Sequence, residues 1–308
     1  MKSVKVFSPG TIGNIGPGFD TLGLAIKGMG DILEAKIITG NEVIIDRIQN
    51  TTHNISTDSK KNTAGIAAME ALKLLGENIG VSLSITKGLP PGGGLGSSAA
   101  SAVAGAYAVN SLFGNTLTNE DLLTAAMVGE YSVSGGYFAD NVAPAIYGGA
   151  TLTRSLNPLR ITPLGSISDL IIIIAIPDVQ ILTKESRKVI PPTVELSDCI
   201  HNMANTASIA VAFCNNDYNL LKDNLYDYII EPKRSKLIPG FADVKEAALN
   251  AGADGMAISG SGPTIFSITN SDKKAIDIEL AMKTALNENE VQCKTMITTP
   301  STNGVKEI

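Results

Sequence analysis

Tryptophan is absent from this 308-residue chain, histidine occurs twice, and aromatic residues make up only 5% of it. Each shortage removes a class of function. His53 and His201 cannot build a histidine-rich zinc site, and neither sits in the Gly-x-Ser-x-Gly setting of a serine hydrolase. Few aromatics leave little to stack on nucleobases, and a net charge of −6 with no dense basic block argues against nucleic acid as a partner. Cys199, Cys214 and Cys293 are scattered with no Cys-x-x-Cys pair, which fits buried thiols in a reducing cytoplasm. The longest aliphatic run, LIIIIAI at 170–176, ends at Pro177 and is far too short to cross a bilayer. It reads as a fully buried strand. The first residues, MKSVKVFSPGT, carry no apolar h-region, so neither a secretory signal nor a membrane is expected.

Glycine, by contrast, is plentiful, and LPPGGGLGSSAA at 89–100 concentrates it. Upstream, Val81, Leu83 and Ile85 alternate with Ser84 and Thr86 as in a strand, and the small residues of 98–112 favour a helix. Residues 92–96 must connect the two. A plain turn needs one or two glycines, and three in a row lose more backbone entropy on ordering than any other tripeptide. A glycine-rich loop feeding a helix start can instead surround an anion with bare N–H groups, helped by the helix dipole. Ser97 and Ser98 then stand where hydroxyls cap a helix, touch phosphate oxygens or ligate a metal. No Gly-Lys-Ser/Thr follows, so this is not the Walker-type loop. On the residues alone, a structural turn and a phosphate cradle fit equally well.

The rest of the chain alternates strand and helix patterns. Strands are expected at 2–8, 32–39 and 42–48, the last two separated by a Gly-Asn turn of the hairpin kind. A helix is expected at 63–75, with Ile66, Met69, Leu72 and Leu75 at helical spacing and Gly76 as its stop. Thr118, with Asp121 three positions on, opens another. Loop-like residues at 158–168 suggest a boundary between domains at 1–160 and 161–308. Beyond it come helices at 196–213, 241–251 and 272–286, and strands at 255–258, 264–268 and 291–297. A second glycine loop, SGSGP, separates the first two of those strands. The tail, STNGVKEI, is polar and expected to fray.

Several unusual stretches follow one another in order: SPGTIGNIGPGFDTLGLAI at 8–26, LPPGGGLGSSAAS at 89–101, ADNVAPAIYGGATL at 139–152, IEPKRSKLIPGF at 230–241 and AISGSGPTIFSI at 257–268. Together they resemble the GHMP small-molecule kinases, and within them the branch that phosphorylates homoserine. The resemblance implies an α/β (α+β) GHMP kinase fold, with an N-terminal domain like ribosomal protein S5 domain 2 and a ferredoxin-like C-terminal domain. The active site would lie between them. It also implies transfer of the ATP γ-phosphate to the side-chain hydroxyl of L-homoserine, an early step toward threonine. The enzyme would be cytoplasmic and use ATP and Mg²⁺, with small molecules as partners and a homodimer as the assembly considered.

By the same resemblance, Pro90, Pro91, Gly92, Gly93, Gly94, Leu95, Gly96 and Ser97 would hold the triphosphate, and Gly260 of the SGSGP loop would close the pocket. Asn62 would approach the adenine, although its plain reading is a helix cap. Ser98 and Glu130 would ligate magnesium, which takes hard oxygens and keeps several waters. Without the resemblance, Glu130 reads as a solvated helix-surface carboxylate. Homoserine is a zwitterion with a reactive hydroxyl. Asp20 would take its ammonium group, and Arg187 and Arg234 its carboxylate, since guanidinium suits bidentate carboxylate binding. Asn14 and Asp140 would position the hydroxyl, with Asp140 the candidate general base. Asn141 and Thr183 would face the phosphoryl group in transfer, a reaction that is mostly positioning and charge stabilisation.

Two positions depart from the family pattern. Phe138 stands where that family commonly has histidine, and Gly93 where serine is frequent. With neither His53 nor His201 in a motif, no histidine-like break in rate is expected between roughly pH 6 and 7. Two rivals remain open. One is a GHMP kinase for another alcohol, such as a mevalonate-like acid, which would leave Asp20 without an ammonium partner. The other is a catalytically silent, ligand-sensing relative, against which Ser98, Glu130 and Asp140 argue, while Phe138 favours it.

Overall fold

Apolar alternation at the start of the chain folds into an antiparallel pair, β1 (Ser3–Gly13) and β2 (Leu22–Ile38). They belong to a computed structural model that describes residues 2–181 and 183–308. The chain then runs through β3 (Val43–Gln49) and α1 (Thr63–Leu75) to β4 (Gly80–Thr86), which inserts between β2 and β3. Here the hairpin expectation at the Gly-Asn turn fails: β3 pairs parallel with β4 and not with β2. The Gly40 carbonyl accepts from the Gly80 amide and that of Glu42 from Val81, so the turn opens onto β4. A β-helix-β crossover covers the sheet with α1, which a two-residue hairpin cannot do.

Helix α1 begins and ends as its sequence predicts. The Asn62 side chain accepts from the Ala64 amide at 3.0 Å, and Gly76 stops it in the left-handed region at φ 71°. Its most buried face, however, is alanine (Ala64, Ala67, Ala68, Ala71), with Ile66, Met69 and Leu75 only half-buried. The reason lies in α2 (Ser97–Leu112), whose small side chains let the two helices approach closely; a Cβ on Gly105 would run into Ala64. Next come α3 (Asn119–Ser134), closed by the Thr118–Asp121 capping box, and α4 (Ala139–Tyr147), which carries no side-chain cap.

Strands β5 (Ala150–Leu156) and β6 (Leu159–Gly165) pair with each other and attach to the first half of β2. Residues 159–165, read as loop, are therefore strand. β7 (Ile171–Pro177) then opens a second, antiparallel sheet. After it come α5 (Thr183–Lys188), α6 (Leu196–Asn215), α7 (Tyr218–Asn224), α8 (Glu231–Arg234) and α9 (Phe241–Asn250). The sheet is completed by β8 (Gly255–Ile258), β9 (Ile265–Thr269) and, after α10 (Asp272–Glu288), β10 (Cys293–Thr298), in the order β10-β7-β9-β8.

The aliphatic run is buried on both faces. Ile171, Ile173 and Ala175 pack beneath α9 and α10, while Ile172, Ile174 and Ile176 face a seam shared with Ile12 and Leu24 of the first sheet. Each such isoleucine contributes roughly 1.5–3 kcal/mol by leaving water. The two sheets thus share a core, and the functional loops lie along that seam.

The tail does not fray. Ser301 bonds to Ala25 and Gly149, Val305 is buried and its amide reaches the Ala145 carbonyl, and β11 (Lys306–Glu307) pairs with the edge of β1. One apolar anchor and an open strand edge outweigh the polar composition. Among the described residues, no helix is long and apolar enough to cross a membrane.

Candidate active site

The 92–96 connection is strained in a way only glycine tolerates. Gly92, Gly94 and Gly96 take φ values of 68°, 81° and 64°, and a Cβ on Gly96 would strike the Thr11 hydroxyl. The loop is held from both sheets: the Thr11 amide donates to Leu95 at 3.1 Å, the Thr264 amide to Gly93 at 3.3 Å, and the Ser259 hydroxyl to Gly94 at 2.6 Å. Pro91, Gly92, Gly93, Gly94, Gly96, Ser97 and Ser98 line a cleft of about 640 Å³, together with Asn62, Glu130, Asn141, Thr183 and Gly260. Leu95 and Pro90 stand behind the loop: Leu95 is fully buried, and the Pro90 carbonyl accepts from Gly93. Asn62 both caps α1 and lines the cleft, so its two readings coexist.

Under the loop lies a charged cluster that the motifs did not reveal. Lys87, 4% exposed, pairs with the fully buried Asp31 and donates to the Ser97 carbonyl at 3.0 Å and to Ser101 Oγ at 2.8 Å. Asp31 also accepts from the Gly88 amide at 3.0 Å and from Ser101 at 2.6 Å. Burial lowers the Lys87 pKa, while Asp31 opposes the shift. A charged residue inside the apolar strand GDILEAKII was the available signal. Removing one partner of such a pair costs about 3–5 kcal/mol.

Glu130, on α3, is half-buried with its carboxylate end enclosed, and the hydroxyl of Ser98, in the first turn of α2, donates to it at 3.0 Å. Burial pushes its pKa up to about 7; the Ser98 bond works against this and Asp140 adds to it. The solvated-surface reading of Glu130 therefore does not hold.

α4 presents its first turn to the same cleft. Asp140 is 4% exposed and its carboxyl is pushed up to about 7, by burial first and by Asp20 second. The approach is close enough that a Cβ on Gly13 would lie 2.6 Å from Asp140 Oδ2 and 2.7 Å from Asn141 Nδ2. Asn141 accepts from the Thr11 hydroxyl at 2.9 Å, and Thr183 opens α5 across the cleft.

Beyond Asp140 the β1–β2 loop is contorted: Asn14, Ile15 and Asp20 all take left-handed φ, between 47° and 70°. That is a genuine outlier for β-branched Ile15. Asn14 holds the loop across the seam, donating to the Gly260 carbonyl at 2.8 Å and accepting from the Asp20 amide at 3.0 Å. Asp20 pairs with Arg187 at 2.6 Å, and Arg234, 3% exposed, donates to the Gly260 carbonyl at 2.8 Å. Burial, then Arg187, brings the Arg234 pKa down to about 10. Asp227, also missed from sequence, fixes α8: it accepts from the amides of Ile229, Ile230 and Glu231 and from Asn202, all at 2.8–2.9 Å. His53 and His201 are exposed and line no part of the cleft.

The arrangement joins an N–H cradle on a helix start, hard oxygens at Ser98 and Glu130, and a recess with opposite charges at Asp20 and the two arginines. Comparison with known proteins points the same way. Residues 62–149 match the GHMP kinases N terminal domain and residues 209–288 the GHMP kinases C terminal domain. The homoserine kinase of Arabidopsis thaliana is 44% identical over 88% of this chain and 75% of its own. The crystal structure of a homoserine kinase from Cytophaga hutchinsonii superposes with a TM-score of 0.95 at 40% identity, covering 100% of this chain and 98% of that one. A mevalonate kinase from L. major shares the fold with a TM-score of 0.71 at 17% identity, over 97% of each chain.

Proposed function

The chain belongs to the homoserine kinases of the GHMP kinase family, and on that premise we propose that it transfers the γ-phosphate of ATP to the side-chain hydroxyl of L-homoserine, a step of threonine biosynthesis. The observation that carries the reading is the direct junction of two chemistries. The glycine-loop cleft, large enough for a nucleotide, abuts Asp140 and Asn141, and the Asp20, Arg187 and Arg234 charges lie behind them.

In this reading the amides of 92–96 and Ser97 hold phosphate oxygens, and Asn62 borders the adenine. Ser98 and Glu130 fit Mg²⁺ by their chemistry, one hydroxyl and one enclosed carboxylate 3.0 Å apart, with phosphates and water completing its shell. The ion would neutralise charge on the triphosphate. Among the described residues there is no cluster of three acidic, histidine or cysteine ligands, which suits a metal carried in with the nucleotide. Asp20 takes the substrate ammonium, and Arg187 and Arg234 its carboxylate. A zwitterion therefore replaces the Asp20–Arg187 pair by giving its ammonium to Asp20 and its carboxylate to Arg187 and Arg234 together. Asn14 and Asp140 orient the hydroxyl; Asp140, held near neutrality, can accept its proton. Asn141 and Thr183 flank the path of the phosphoryl group, and Gly260 closes it from the second sheet.

A cytoplasmic homodimer belongs to the same reading. Three cysteines outside any disulfide support the location, and Leu196, Ile200 and Met203, exposed on α6, support the assembly, which sedimentation would test. The function is tested by ADP release with Mg²⁺-ATP across homoserine, serine, threonine and mevalonate. Homoserine should turn over well above the rest; equal turnover, or none, would refute the assignment.

A further inference from the structure

Phe138 has no place in the chemistry above, yet it stands at the start of the helix that carries Asp140. It offers α4 no side-chain cap. Its ring is instead committed to Arg187, whose guanidinium carbon lies 4.0 Å from the ring centre, with the Phe19 ring 5.2 Å away. Gly136 lies against the same ring, where any Cβ would collide with it. The neighbouring GGYF sequence thus makes room for a phenyl ring in one place.

Arg187 needs such a hold. It sits on a six-residue helix, and its long side chain reaches Asp20 through a single nitrogen, Nη2, at 2.6 and 2.7 Å from the two carboxylate oxygens. Its Nε is buried and has no hydrogen-bond partner. A cation over an aromatic face is held by the ring quadrupole, and its in-plane N–H groups stay free for an acceptor.

We propose that Phe138 is a positioning residue for homoserine: its ring fixes the plane of Arg187 so that the guanidinium edge is presented to the substrate carboxylate. The proposal rests on the assignment of Arg187 to that carboxylate. A partly desolvated stack of this kind changes affinity roughly 3- to 30-fold.

The test is a set of steady-state measurements on the intact enzyme. Phe138→Leu should raise the homoserine KM by roughly 3- to 30-fold. The ATP KM and kcat at saturating homoserine should stay nearly fixed. Phe138→Tyr, which keeps the ring face, should recover most of the loss, and Phe138→Met provides a second ring-free variant should leucine fail to fold. Arg187→Ala is measured alone and combined with Phe138→Leu. If the ring acts through Arg187, the leucine adds nothing in the alanine background. An unmoved homoserine KM, a loss that tyrosine does not recover, or additive losses in the double variant overturns the proposal. Should Arg187→Ala itself leave the homoserine KM unchanged, the assignment of Arg187 fails, and the proposal with it.

Discussion

Asp140 sits where a carboxylate charge is least welcome, nearly buried and within the field of Asp20. Its folded pKa of about 7 lies above the unfolded value, so its favourable contribution is complete below about pH 4 and is lost as pH rises through 7. Stability of the ligand-free protein should therefore decline between about pH 4 and 7 and level off above that. Asp140→Asn should flatten part of that decline and stabilise the protein at pH 8 by on the order of 2–4 kcal/mol, while kcat collapses. Chemical denaturation at pH 5 and pH 8 checks it; a variant no more stable than the parent at pH 8 counts against the buried charge. The same shift revises the expectation of a rate profile without a break. A fall in kcat/KM below about pH 7 is now expected from a carboxylate, and it should survive in His53→Ala and His201→Ala. The titration of ATP itself is separated by comparing ATP and homoserine profiles. Glu130→Gln tests the neighbouring site: kcat should drop sharply, folding should hold, and excess Mg²⁺ should offset part of the loss. An unchanged Mg²⁺ dependence would remove Glu130 from the metal.

At the scale of elements, α8 shows how a helix of four residues can aim a buried arginine. Arg234 ends it, and its start is pinned by Asp227, which satisfies three backbone amides at once. Asp227→Ala should cost about 2–3 kcal/mol of stability and raise the homoserine KM, leaving that for ATP nearly fixed. If both Michaelis constants stay unchanged, Arg234 does not depend on the cap. Elements of this kind also mark what could be read in advance. The ends of α1 and α3 were legible because Asn62, Gly76 and the Thr118–Asp121 box act over three or four residues. α4 was not, because Phe138 is no capping residue and Pro144 interrupts the pattern. The partner of β3 was not either, since pairing depends on where α1 must pack. Of the proposed site, the ordered motifs carried the glycine loop, Asp20 and Asp140, while Glu130 came from the resemblance alone. Lys87 and Asp227 escaped because only burial distinguishes them from surface charges, and Asp31 because a charge within an apolar strand does not name its buried partner.

At the scale of the whole molecule, the last residues tie the seam to α4, the helix that carries Asp140. Residues leaving β10 cross β2, where the Lys27 amide donates to Thr299 and Ser301 to Ala25, before Val305 docks beside α4. The Val305 amide reaches the Ala145 carbonyl near one end of α4, whose other end carries Asp140 and Asn141. Gly304 fits there because any Cβ would collide with the Ile146 carbonyl. The tail is thus a strut and not an appendage, in spite of its polar sequence. Its effect separates into two parts. Val305→Ala leaves the backbone bonds in place and should cost about 2 kcal/mol through lost burial and a small cavity, with kcat nearly unchanged. Removing residues 303–308 also frees the Ala145 carbonyl and exposes the edge of β1. That truncation should lower Tm further and reduce kcat, since α4 loses its brace. The comparison needs thermal melts and saturating kinetics on both variants. A truncated protein with parental kcat would mean that β1, β2 and α2 hold α4 without help, and the strut would be structural only.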